Sequence, residues 1–125
     1  MQLSKIGRLL KQELNIADFK EDIRGEISSY KNSLSKKGSS QPIILNEDLQ
    51  QLQVSGSDIQ IICKAYLEGI LDKWELNYIA EAILLSSKIS FTDDKAEKAL
   101  YSLSDPEFFE LISDNYVRQI VNDLE

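Results

Sequence analysis

The residues with the greatest chemical potential in this chain are its carboxylates. Asp and Glu number 21, against 14 Lys and Arg and no His at all. Paired carboxylates can hydrolyse glycosides or hold catalytic metals. Here, however, Asp58, Asp72, Glu75, Asp93, Asp94, Asp105, Glu107 and Asp114 all fall where helices are expected to begin. A carboxylate in a first turn meets free N–H groups and the positive end of the helix dipole, so its presence needs no catalytic purpose. The alternating Asp/Asn pattern and glycine of a calcium loop are absent around Asp93-Asp94. Without His there is no imidazole base, no imidazole metal ligand and no Ser-His or Cys-His nucleophile. The lone Cys63 sits in Ile61-Ile62-Cys63, away from any basic cluster, and reads as a small buried hydrophobe. No two glycines are closer than 13 positions, too far apart for a phosphate-cradling loop. No catalytic, metal-binding or cofactor-binding residue is assigned, and the chain is expected not to be an enzyme.

The elements that carry these residues read as helices. Leu3, Ile6, Leu9, Leu10 and Leu14 keep helical spacing over residues 3–14. A longer stripe runs from Ile16 through Phe19, Ile23, Ile27, Tyr30 and Leu34, predicting one helix to about Lys36 that tolerates Gly25. Lys36-Lys37-Gly38-Ser39-Ser40-Gln41-Pro42 is a break, and a short extended piece is expected at Pro42–Leu45. Asn46, followed by Glu47 and Asp48, predicts a short helix to about Gln53. Ser57 or Asp58 then caps a helix bearing Ile59, Ile62, Cys63, Tyr66 and Leu67, with Gly69 as its stop. Asp72-Lys73-Trp74-Glu75 has the form of a capping box and opens a helix to about Ser86. Further starts lie at Thr92-Asp93-Asp94, at Asp105-Pro106-Glu107 and at Ser113-Asp114. No stretch sustains a two-residue alternation. The expected fold is all-α: a single compact domain over 1–125 with a loop near 37–45 and about six to seven helices. The expected core includes Ile23, Ile27, Ile62, Leu76, Ile79, Ile83, Leu100 and Val117.

Charge is unevenly spread. Residues 1–37 hold eight basic and five acidic side chains, and residues 38–125 hold six and sixteen. An acidic body with a net charge of −7 repels nucleic acid and anionic membranes, and it can steer a cationic protein. It also keeps a protein in solution, which requires no partner. No apolar run approaches the ~20 residues of a membrane span, and no secretory apolar region follows Lys5 and Arg8, so the chain reads as cytoplasmic. Within the helix from Lys73 to Ser86, Leu76, Ile79, Ala80 and Ile83 fall on one side, and Trp74, Tyr78, Glu81 and Leu85 on the other. Such a helix is either buried all round or buried once and presented once. Trp74 and Tyr78 beside Asp72, Glu75 and Glu81 have the composition of a hot spot for a basic partner, and these five are the candidate binding residues.

The segments Gly38-Ser39-Ser40-Gln41-Pro42-Ile43-Ile44-Leu45 and Tyr66-Leu67-Glu68-Gly69-Ile70-Leu71-Asp72-Lys73-Trp74-Glu75-Leu76-Asn77-Tyr78-Ile79-Ala80-Glu81-Ala82 are similar to a known style of sequence. The chain resembles the small all-helical immunity proteins of bacterial contact-dependent growth-inhibition and other polymorphic toxin systems. The resemblance implies a cytoplasmic toxin inhibitor that works by protein–protein interaction. Its partner would be the cognate toxin C-terminal domain, often a basic nuclease, whose active site it occludes. The paired tyrosines and acidic recognition helix of the DNase-colicin immunity proteins are missing, which leaves the toxin's activity open. The alternative from the residues alone is a small helical adaptor or regulator that binds a protein other than a toxin.

Overall fold

The computed structural model describes residues 1–35, 45–104 and 113–125. Among them are seven helices: α1 (Leu3–Leu10), α2 (Ile16–Asp22), α3 (Arg24–Ser35), α4 (Gly56–Leu67), α5 (Lys73–Leu85), α6 (Asp94–Ser104) and α7 (Asp114–Asp123). Two three-residue strands, β1 (Leu52–Val54) and β2 (Ile89–Phe91), complete the described elements. The expected all-α class is what the structure has. The helix expected to start at Asp105-Pro106 lies outside the described residues, and so does the extended piece expected at Pro42–Leu45 except for Leu45.

The centre of the fold is α5, with α6, α3 and α4 packed around it. Leu76, Ile79, Ala80, Ala82 and Ile83 are solvent-inaccessible, and so are Ile62, Leu100 and Val117 on neighbouring helices. All eight residues expected in the core are buried, Ile23 and Ile27 among them. Close packing of this kind supplies the hydrophobic driving force, at about 25 cal/mol per Å² of apolar surface removed from water. Among the described residues no buried side-chain polar atom lacks a hydrogen-bond partner, and no helix is long and apolar enough to cross a membrane.

Helix starts follow local chemistry. The Asp72–Glu75 capping box forms as its sequence predicts: Glu75 N–H donates to Asp72 Oδ1 at 2.8 Å, and Asp72 N–H donates to Glu75 Oε1 at 2.9 Å. Ser113 caps α7, and Asp93 accepts the Ala96 N–H at 2.8 Å to cap α6. For α4 the cap is Ser55, two or three residues earlier than expected, and Asp58 answers it from the third helical position. Gly69 ends α4 at φ +81°, a left-handed conformation that costs a side-chain-bearing residue about 1–2 kcal/mol.

Three expectations are corrected. α1 stops at Leu10 rather than Leu14, because the chain turns through Gln12 at φ +62° and Asn15 caps the next helix by accepting the Ala17 N–H. The stripe from Ile16 is carried by two helices that break at Ile23, although Phe19, Ile23, Ile27 and Tyr30 still form one buried face. Residues 46–53 are not a helix. Asn46 bridges to Gln2, and Leu52–Val54 pairs in parallel with Ile89–Phe91 in the register Leu52↔Ile89, Gln53↔Ser90, Val54↔Phe91. This two-stranded sheet was not expected from sequence. Its strands are far apart in the chain, and the crossover that makes parallel pairing possible is α4 with α5. Gly7 lets α1 lie against β1, since a Cβ there would come within 3.3 Å of Leu52 Cδ1.

Candidate functional site

The five candidate residues on and before α5 divide sharply in the structure. Glu75 is only 4% exposed and Tyr78 3%. Glu75 caps its own helix and lies 3.6 Å from Lys20 Nζ of α2. The Tyr78 hydroxyl donates to Glu26 Oε1 of α3 at 3.1 Å, and its ring meets Tyr30 edge-on at 5.0 Å between centroids. Burial comes first in pushing the Tyr78 hydroxyl upward, followed by the Glu26 charge. These two residues hold α2 and α3 onto α5. Of the remaining three, Asp72 is exposed but engages Lys31 at 3.2 Å, Trp74 is half-buried against the edge of the core, and Glu81 is half-buried beside Tyr30. The second apolar side of α5 is therefore largely the seat of α3. Leu85, at its far end, is 60% exposed.

A common logic connects these contacts. Lys11 pairs with Asp58 at 2.7 Å, Lys20 with Glu75 and Lys31 with Asp72. In each pair a cation from the basic N-terminal segment meets an acid from the acidic body. The charge asymmetry along the sequence is thus partly consumed in clamping the first three helices onto α4 and α5. Glu47 and Asp48 are also occupied: Glu47 accepts from the Ser86 hydroxyl and Ser87 N–H, and Asp48 from the Ser4 hydroxyl and N–H. Those hydrogen bonds hold both carboxyls below their ordinary values.

Two of the acids with no such engagement meet at a different place. Glu13 and Glu68 are exposed, and among the described residues neither side chain has a hydrogen-bond or ion-pair partner. Both line one groove of about 540 Å³ between the α1–α2 turn and the C-terminal half of α4. Its floor is apolar, with Leu9 and Ala65 buried and Leu14, Ile16 and Ile61 half-buried. Lys64 also lies on its rim, and the left-handed Gln12 shapes its wall. Glu68 is only four residues from Asp72, a span of at most about 14 Å. The groove and the start of α5 therefore belong to one end of the molecule. Sequence reading missed Glu13 and Glu68 because each looks like an ordinary solvated acid. Asp18, Asp94 and Glu125 are likewise exposed and without a partner among the described residues, so what sets Glu13 and Glu68 apart is the groove they share.

The arrangement suits the recognition of a long cationic side chain. An Arg or Lys stem can lie on Leu14, Ile16 and Ile61 while its charged head reaches the acids at the rim. Among the described residues no cluster of three or more His, Cys, Asp or Glu could hold a metal ion. Cys63 is fully buried, and burial pushes its thiol up to about 12, so little thiolate forms near neutral pH. The chain matches no protein-family model, no curated protein and no solved structure.

Proposed function

We propose that this chain is an immunity protein, a cytoplasmic inhibitor that binds a basic toxin domain and covers its active site. The observation that carries the reading is the groove between the α1–α2 turn and α4. There Glu13 and Glu68 keep their charge uncommitted above an apolar floor, while many of the other acids are engaged inside the fold. An inhibitor of a nuclease needs carboxylates where phosphates would otherwise bind, apolar anchoring surface beside them, and no reaction of its own. The contact surface runs from the groove through the Gly69 turn to Asp72, with Trp74 at its border. Glu75 and Tyr78 serve it indirectly, by holding that end of the molecule together.

The test is co-expression with the toxin domain encoded beside this gene. The proposal expects cells to survive toxin expression only when this chain is present, and the two proteins to co-purify. Equal killing with and without it, from a folded and abundant protein, would remove the immunity reading.

A further inference from the structure

One cluster of polar groups in the interior does not balance if every acid is ionised. The Tyr30 hydroxyl, on a side chain 5% exposed, lies 2.5 Å from Asn77 Oδ1 and 2.8 Å from Glu81 Oε2. A tyrosine hydroxyl carries one proton, so it can donate to only one of these two oxygens. The amide of Asn77 cannot be turned to relieve the conflict. Its Nδ2 donates to the Leu103 carbonyl at 2.9 Å, and flipping it would set Oδ1 against that oxygen. Three oxygens therefore converge with one proton among them, unless the carboxyl supplies a second.

We propose that Glu81 carries that proton in the folded protein, forming a single directed chain from α5 through α3 and back to α5 and α6. Glu81 Oε2–H donates to Tyr30 Oη, Tyr30 Oη–H donates to Asn77 Oδ1, and Asn77 Nδ2–H donates to the Leu103 carbonyl. Every group is then satisfied once, in the sense low-dielectric surroundings demand. Ionising Glu81 draws the Tyr30 proton to the carboxylate and leaves the tyrosine and amide oxygens facing each other at 2.5 Å. The cluster is thus a proton-sensitive joint between α3 and the α5–α6 pair.

The surroundings favour the neutral acid. From α3, Glu26 faces the Tyr78 hydroxyl and is neutralised by the Met1 ammonium at 2.5 Å. From α5, Tyr78 faces Tyr30 edge-on. Among the described residues, no Lys or Arg forms an ion pair with Glu81. Burial raises the Glu81 carboxyl, outweighing the opposite pull of the Tyr30 hydrogen bond. For a carboxyl raised by folding, the linked stability is fully present below the unfolded value and is lost as pH rises through the folded one.

The experiment is a carbon-13 NMR titration of the Glu side-chain carboxyls in the intact wild-type protein, with the Glu81 carboxyl assigned by through-bond correlation to its own backbone. The proposal expects Glu81 to titrate above the ordinary value of about 4.3, and a midpoint at or below that value overturns it. A second measurement uses stability. Glutamine can donate to Tyr30 at any pH, so Glu81→Gln should hold its urea midpoint while the wild-type midpoint falls relative to it as pH rises above the ordinary glutamate range. A constant difference between the two proteins across that range overturns the proposal, and the wild-type titration stands alone if the variant does not fold.

Discussion

Replacing Glu75 with Lys should destabilise the fold rather than merely recolour a surface. The side chain has three roles to lose: it is 4% exposed, it accepts the Asp72 N–H at 2.9 Å, and it sits 3.6 Å from the Lys20 ammonium. Loss of the reciprocal cap costs about 1 kcal/mol, by analogy with other cap deletions. Two ammonium groups at the present separation would repel by roughly 4–5 kcal/mol at an effective dielectric constant of 20. Lys20 is 44% exposed and can swing toward water, so most of that repulsion is relieved. The sum is a loss of about 2–4 kcal/mol, within the range for charges introduced at buried sites. Glu75→Gln keeps an acceptor for the Asp72 N–H and loses only attraction to a half-exposed lysine, about 1 kcal/mol or less. Urea unfolding followed by circular dichroism measures both. A Lys variant within half a kcal/mol of wild type would show that the Glu75 contacts do not hold α2 and α5 together.

Ile79→Ala deletes three buried carbons at the middle of α5, worth about 2.4 kcal/mol in transfer alone at ~0.8 kcal/mol each, and the cavity left behind should bring the loss into the range of ~2–5 kcal/mol. The same unfolding assay reads it, and a loss below half a kcal/mol would mean that α5 is not central. Asp48→Asn should flatten the acid limb of the stability curve. The Ser4 hydrogen bonds depress the Asp48 carboxyl, so its contribution is present above the unfolded value near 4 and is lost as pH falls through the folded one. Urea midpoints of the two proteins should converge toward low pH, and a constant gap would refute the assignment of Asp48 to the start of α1.

What was legible in the sequence was whatever chemistry acts within a turn or two. The Asp72–Glu75 box, the Ser113 cap, the Gly69 stop and the buried face of α5 all follow from residues three or four apart. What was hidden is non-local. Glu47 and Asp48 look like the first turn of a helix beginning at Asn46, yet they serve the end of α5 and the start of α1, about forty residues away in each case. Leu52–Val54 is too short to announce itself as a strand and becomes one only because Ile89–Phe91 is delivered beside it. The break at Ile23 leaves the apolar stripe intact, so periodicity alone reads through it. The candidate site suffered the same way. Trp74, Tyr78 and Glu81 form a plausible outward face on a helical wheel, but a wheel does not show that α3 lies on it. Asp72 and Glu75 look like presented acids until Lys31 and Lys20 arrive from another part of the chain.

On the function proposed above, the groove holding Glu13 and Glu68 receives a cationic surface of a toxin domain. The measurement is the association and dissociation kinetics of a toxin domain encoded beside this gene with wild type and with Glu13→Lys/Glu68→Lys. Both positions are exposed and without partners among the described residues, so the variant should keep its circular dichroism spectrum and unfolding midpoint. Binding should weaken at least tenfold in the variant, and wild-type association should slow as salt rises while the variant's changes less. A folded double variant that binds and protects as well as wild type, with the same salt dependence, would contradict the account.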